Sequence, residues 1–494
     1  MPAAQLSVAE QRGDDPARDF LVGSTYRKDV LQGALWKMLR DQLAGAPAEK
    51  PGPTASPTLE TRDGQAIGLG APFGWSRSPG FDPSALDSRA ALSTILAYSF
   101  GVLRWEPLNP NPEHRACPSP GSRFTVDASL FFESRHGASC YRYLVREHAL
   151  FAMADSTGAA RASQDALRIS LTCDPARCAS PYGDLAYCLS AIELGANLSQ
   201  FLLILGLFGL RLDDVRLHAA DRAGDRAVVP GLSASIAAPE IAGWLRQAWP
   251  ERHVFAAREY PPIERGAFPL LDAVIDNAAN AAEAPPFPGG LAAGPWRGNP
   301  IELLRASAAR SSGLDLQAPP SVNRAPGGSR TVQLLDKVAE LRGSFTGVAR
   351  HRVHAHVTLP EHLRVAIRDC RRSADNATLS LDKSTGRRGS GGDDVYPPDA
   401  IVVTLSADYP AYVARFGELA LFHMYLAAGI DAQSFCLAAA TVGLACRPMR
   451  SFDHAAADAA LPIDCWSTLQ LVIYADDAVN PAFPVGGAPW EACG

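Results

Sequence analysis

Between Tyr182 and Leu210 the chain reads YGDLAYCLSAIELGANLSQFLLILGLFGL, apolar on almost every side of a helix and with its polar residues widely scattered. The run is far longer than a strand and has no polar face, which predicts a helix buried on most of its surface. Phe416–Leu444, FGELALFHMYLAAGIDAQSFCLAAATVGL, repeats it without a gap. The two share Gly183/Gly417, Leu185/Leu419, Ala186/Ala420, Gly195/Gly429, Phe201/Phe435, Leu203/Leu437, Gly209/Gly443 and Leu210/Leu444, eight identities in 29 positions. Pairs such as Asp184/Glu418, Asn197/Asp431 and Phe208/Val442 keep their chemistry, so the pattern predicts a duplicated domain. A membrane span is the competing reading. Glu193 and Asn197, or Asp431 and Gln433, interrupt the run, and the clean apolar part, Phe201–Leu210, falls far short of the roughly 20 residues a span needs.

On either side the patterning alternates. Val30, Leu31, Leu35, Met38, Leu39 and Leu43 have helical spacing between two loose segments, 1–20 and 45–80, rich in Pro, Gly and Ser. From Ser88, RAALSTILAYSFGVLRW predicts a helix, TVDASLFFES a strand, SCYRYLVREHALFAMA a strand turning toward a helix, and ALRISLTC a short strand. SIAAPEIAGWLRQAW is one more helix, and 284–300 (APPFPGGLAAGPWRGNP) reads as a linker. Beyond it NPIELLRASAAR, TVQLLDKVAELRGSFTG and LPEHLRVAIRDCRR predict helices, KSTGRRGSGGDD a solvated loop, and DAIVVTLSA and LQLVIYADD strands. The expected class is α+β. An extension (1–80) precedes one domain at 81–283, the linker 284–300, and a second domain at 301–494, each a sheet wrapped by helices around its long apolar one.

Totals narrow the function. A chain of 494 residues exceeds a single core, and 47% apolar with 20% charged residues is ordinary globular composition. A net charge of −6 excludes a nucleic-acid partner as the default. The first residues, MPAAQLSVAEQRGDDPARDF, contain no apolar signal core, which predicts a cytoplasmic location. The ten cysteines show no C-x-x-C spacing and read as small core residues. In HRVHAHV, His354 and His356 share a strand face that His351 does not, and no carboxylate stands beside them, so a metal site is not expected. Gly68-x-Gly70 is followed by Pro72 and Pro79, which deny it the helix that a dinucleotide fingerprint requires.

Several segments taken in order resemble one family. Arg115-Ala-Cys-Pro118-Ser119-Pro-Gly121 before a strand, His136-Gly137-Ala-Ser-Cys-Tyr141-Arg-Tyr143, Glu147-His148-Ala-Leu150 and Tyr182-Gly183 are similar to the nitroreductase fold. Within it they resemble the flavin-dependent dehydrogenases that oxidise azolines to thiazoles and oxazoles in peptide natural products. In the second half, Leu341-Arg342-Gly-Ser344-Phe345 resembles the R-x-S motif of nitroreductases, and Gly443-Leu-Ala-Cys-Arg447-Pro448-Met-Arg450-Ser451-Phe452 the segment after their long helix.

The resemblance implies two tandem nitroreductase-like domains and FMN as cofactor. Arg342 and Ser344 would hold the flavin phosphate, being a bidentate cation and a hydroxyl. Arg115, Pro118, Ser119 and Gly121 would flank the ring, and Arg450 and Ser451 would reach its reactive edge. R-x-S lies in one half and P-S-x-G in the other, so the halves are expected to complement one another into one site per chain. The implied partners are a modified precursor peptide and a companion cyclodehydratase, with the chain acting as a pseudo-dimer or within a higher oligomer and touching no membrane. The family's Lys-Tyr pair falls on Pro181-Tyr182 and Arg415-Phe416. That leaves Tyr182 as the candidate proton carrier, although a free tyrosine titrates near 10. An NAD(P)H-dependent nitro or quinone reductase and a non-catalytic peptide- or partner-binding subunit remain the alternatives.

Overall fold

A computed structural model describes, in the first half, residues 58–73, 81–106, 112–134, 137–153, 166–218 and 231–259 (Trp249 aside), with Ile275. In the second half it describes 291–293, 299–313, 323–346 (Ala325 aside), 353–360, 379–381, 399–450, 452, 454–459, 465–476 and 483–484, with Leu363 and Leu461 singly. The helix expected around Val30–Leu43, the loop KSTGRRGSGGDD and nearly all of LPEHLRVAIRDCRR lie outside the described residues.

The first half begins with β1 (Thr58–Gly68), α1 (Ser88–Phe100), β2 (Arg104–Trp105) and β3 (Glu113–His114). It continues through β4 (Val126–Ser134), β5 (Gly137–Leu144), β6 (Ala149–Ala152), β7 (Ala166–Cys173), α2 (Ala176–Tyr182) and α3 (Ala186–Leu207). β8 (Leu212–His218), β9 (Gly231–Ala237), α4 (Pro239–Gln247) and β10 (Glu251–Glu259) complete it. Eight strands form one sheet in the order β10-β1-β6-β5-β4-β7-β9-β8, every neighbour antiparallel. The stretch expected to turn toward a helix at VREHALFAMA is instead the second arm of a hairpin. His148 turns the chain at φ 47, and β6 pairs with β5 on one side and β1 on the other. Burial of Leu150 between these partners outweighs the local helical spacing.

The second half holds β11 (Ala292–Ala293), α5 (Pro300–Ala309), β12 (Asn323–Arg324), α6 (Gly328–Ser344), β13 (Phe345–Thr346), β14 (His354–Thr358) and β15 (Leu379–Leu381). After them come β16 (Ile401–Asp408), α7 (Tyr409–Phe416), α8 (Ala420–Thr441), β17 (Ala445–Met449), α9 (His454–Ala459), β18 (Cys465–Asp476) and β19 (Phe483–Pro484). Its sheet runs β12-β18-β16-β14-β15, with β17 also on β18. Two short pairings tie distant parts together: β11 pairs with β13 inside the second half, and β19 pairs with β2 of the first.

α3 and α8 are each 22 residues long, and each follows a 3-10 turn that starts on a left-handed glycine, Gly183 at φ 55 and Gly417 at φ 52. Glycine accepts that conformation without the steric cost a side chain would bring. The helices run side by side in the same direction. Tyr187 meets Phe422 near the start, with ring centroids 6.3 Å apart, and Gln433 Nε2 donates to Gln200 Oε1 at 2.9 Å further on. Midway, a Cβ built on Gly195 would lie 2.0 Å from the Leu426 carbonyl oxygen, and one on Gly429 would lie 2.0 Å from that of Ile192. Leu426 aligns with Ile192 in the repeat, so the contact is reciprocal and self-complementary in the manner of a twofold interface. One continuous apolar core, from Ile67 to Ala475, surrounds this pair. The stretch Ala176–Leu207 is long and apolar enough to cross a membrane, but 94% of its most apolar window is buried inside the protein.

Candidate functional site

The loop between β3 and β4 packs against α3. Glu193, 2% exposed on α3, accepts from Thr125 N at 3.0 Å, Thr125 Oγ1 at 2.9 Å and Ser119 Oγ at 2.9 Å. Ser119 Oγ in turn accepts from Phe124 N at 2.8 Å. Burial raises the Glu193 pKa, against the opposing pull of the Thr125 amide and the Arg115 guanidinium. Arg115 lies over the Phe124 ring, 3.8 Å from its centroid, and its buried Nε has no hydrogen-bond partner among the described residues.

α2 brings Tyr182 onto the same loop. Arg177 of α2 donates to the Phe124 carbonyl at 2.7 Å and shares Asp127 with Arg142, which fixes the helix against the start of β4. Gly121 sits at φ 53, and a Cβ there would lie 3.1 Å from the Tyr182 hydroxyl. Burial raises the Tyr182 pKa, with a smaller contribution from Cys178 and a counter-effect from Arg123. The hydroxyl is therefore held protonated more firmly than a free tyrosine. Arg115, Pro118, Ser119, Gly121 and Tyr182 thus lie in one cluster around this loop.

The second set does not join it. Arg342, 4% exposed at the end of α6, forms a bidentate pair with Asp431 of α8, at 3.0 Å (Nε–Oδ1) and 2.8 Å (Nη2–Oδ2), and Nη2 also donates to the Val353 carbonyl at 3.0 Å. Ser344 Oγ donates to the Leu341 carbonyl at 2.7 Å, closing the last turn of its own helix. Two residues beyond Asp431, Gln433 Nε2 donates to the Ala116 carbonyl at 3.1 Å. Two helical residues are roughly 200° apart around the axis. Arg342 and the 115–121 loop therefore contact opposite sides of α8, and the expected joining of R-x-S to P-S-x-G is corrected to two separate arrangements. Arg450, 8% exposed, donates to the Thr468 carbonyl at 2.5 Å and to Tyr425 Oη at 3.2 Å; Ser451 lies outside the described residues.

As a flavin site, these residues fit unequally. The small-residue loop with its left-handed glycine suits the close approach of a ring. The phosphate clamp does not fit, because the fork of Arg342 already grips a carboxylate and Ser344 Oγ serves a carbonyl. Sequence reasoning missed Arg310, 5% exposed, whose Nε donates to the Arg115 carbonyl at 3.3 Å and so joins the second half to the loop. Its one sequence signal is a cation just after the end of α5. Gln200 and Gln433, buried across the helix pair, gave no signal beyond being polar in an apolar run.

The chain is similar in structure to a solved protein from Anabaena variabilis provisionally named a nitroreductase. The two superpose with a TM-score of 0.56 over 90% of this chain and 99% of the other, at 15% sequence identity. A second, from Ralstonia eutropha and named likewise, covers 37% of this chain and 95% of its own at 17% identity, with a TM-score of 0.24. No family model matches the sequence, and no curated protein does. The fold is the nitroreductase fold, mixed in helix and sheet.

Proposed function

We propose that the chain is a flavin-dependent oxidoreductase built from two tandem nitroreductase-like halves, acting on an azoline ring carried by a peptide. The observation that carries this reading is the seating of the Tyr182 hydroxyl against Gly121. It brings the P-S-x-G loop against the end of α2, just ahead of the long helix. Bound FMN would supply the hydride chemistry. The residues of this chain would orient the ring edge through the backbone of Pro118–Gly121 and place the Tyr182 hydroxyl beside it, with Glu193 and Arg177 fixing the loop and the helix.

A second reading, a subunit that binds peptide or a companion enzyme without turnover, is favoured by one specific feature. The arginine expected at the phosphate is paired internally with Asp431, and proline occupies position 181 where the family has lysine.

The absorption spectrum of the purified chain, before and after incubation with FMN, separates them. A flavin band with about one FMN per chain supports the first reading, since only one half carries the P-S-x-G loop. No flavin after incubation sinks it. A thiazoline peptide and a nitroaromatic with NAD(P)H, offered in turn, then distinguish azoline oxidation from reduction.

A further inference from the structure

We infer that Asp431 occupies the place of an anionic ligand, so that Arg342 is a closed, structural arginine and no flavin phosphate is held by it. The geometry is that of an anion site already filled. The Nε–Nη2 edge of the guanidinium, one of the two that could fork onto a phosphate, is taken by the two carboxylate oxygens, at 3.0 and 2.8 Å. The Val353 carbonyl takes a further bond at 3.0 Å, and the side chains are 3% and 9% exposed. A phosphate could take this edge only by displacing a carboxylate that would then be left buried without its counter-charge, which costs more than a phosphate contact returns. The pair belongs to the second half alone. The residue aligned with Asp431 is Asn197, whose Nδ2 donates to the Glu193 carbonyl one turn back at 2.8 Å.

This inference does not depend on turnover, and its test separates it from the proposed function. The melting temperature of the wild-type chain is compared with that of Asp431→Ala in chloride, formate and inorganic phosphate at equal ionic strength, with Arg342→Met/Asp431→Ala as control. The expected result is no anion-specific shift in wild type, a lowered melting temperature in Asp431→Ala, and recovery of part of the loss in formate or phosphate only while Arg342 is present. An equal anion-specific rise in wild type and Asp431→Ala would overturn the closed site. If Asp431→Ala does not fold, Asp431→Asn serves in its place, with the same expectations.

The flavin arm uses Arg342→Met/Asp431→Leu, which removes both charges together and avoids stranding either. Its FMN affinity should stay within about twofold of wild type, whereas loss of a true phosphate clamp would weaken it by about 10- to 100-fold. That larger loss in a folded variant overturns the inference. If wild type takes up no FMN, the proposed function fails while the anion-rescue arm still decides the role of Arg342.

Discussion

Gly195→Ala adds one methyl where the two long helices touch. The added Cβ would stand 2.0 Å from the Leu426 carbonyl oxygen, 2.9 Å from its carbon and 3.0 Å from Ile430 N. All three are backbone atoms of α8, so no rotamer change relieves the clash and the helices must part by about 1 Å. A gap of that size forfeits roughly a quarter to a half of each contact well along the seam. Overpacking a core ordinarily costs about 1–3 kcal/mol, and a rigid backbone neighbour puts this case at or above the top of that range. Alanine's better helix propensity returns only about 1 kcal/mol. The net expectation is a loss of about 2 kcal/mol or more, visible as a fall in melting temperature of roughly 2 °C or more. Gly429→Ala should do the same, through Ile192 and Ala196. The double variant should cost little more than either single one, because one parting of the helices accommodates both methyls. Gly343→Ala, where a Cβ meets nothing within 4 Å, is the control and should be neutral or slightly stabilising. Circular dichroism melts of the four variants decide the matter. Stabilisation by Gly195→Ala, or strictly additive losses in the double variant, would refute a close reciprocal crossing.

Other expectations follow from the polar groups. His148 accepts from Tyr143 Oη at Nδ1 (2.8 Å) and donates from Nε2 to Ser93 Oγ (2.7 Å), because Ser93 gives its own proton to the Gly70 carbonyl; burial brings its pKa down to about 4. Below about 6.5 the unfolded chain takes up a proton that the folded chain refuses, so stability should fall by about 1.4 kcal/mol per pH unit down to about 4 and be unaffected above 6.5. His148→Asn, tolerated at φ 47, should flatten that acid limb in melts between pH 4 and 7, and an unchanged slope would count against it. Glu193→Ala leaves three buried donors without an acceptor and should cost about 3 kcal/mol or more by chemical denaturation, a loss under 1 kcal/mol being incompatible with the hydrogen bonds described. Tyr182→Phe should leave the melting temperature and flavin content near wild type while slowing azoline oxidation by roughly 10²; unchanged turnover would make Tyr182 a packing residue.

The long helices were legible because their signal is local and redundant: an apolar run of 29 positions, present twice, with glycines at matched places. That Gly195 and Gly429 lie where the helices touch follows almost from their repetition, since a buried helix keeps a glycine mid-run when something comes close to its backbone. The 115–121 loop and Tyr182 were legible as a set through resemblance. REHALFA has helical spacing, and the partners of β6 decide for a sheet: β5 beside it and β1 far off in sequence. The direction of Arg342 could not be read at all. A basic residue at the end of a helix suits a phosphate and a buried aspartate equally well, and its partner lies 89 residues away.

The differences between the two long helices have a physical basis. Where two identical subunits meet, a substitution on the shared helix appears on both sides of the axis, so a buried acid must find a partner in each. In this chain each side changes alone. Glu193 in the first half holds the loop by three hydrogen bonds, and the aligned position in the second half is Ala427. Asp431 in the second half neutralises Arg342, and the aligned position in the first is Asn197, which needs no cation. Each buried charge is thus matched once, and neither half carries the desolvation cost of an unpaired copy. The glycines at the crossing cannot diverge in this way. A Cβ on either one presses on the backbone of the other helix, so Gly195 and Gly429 stay matched while the polar residues around them part company.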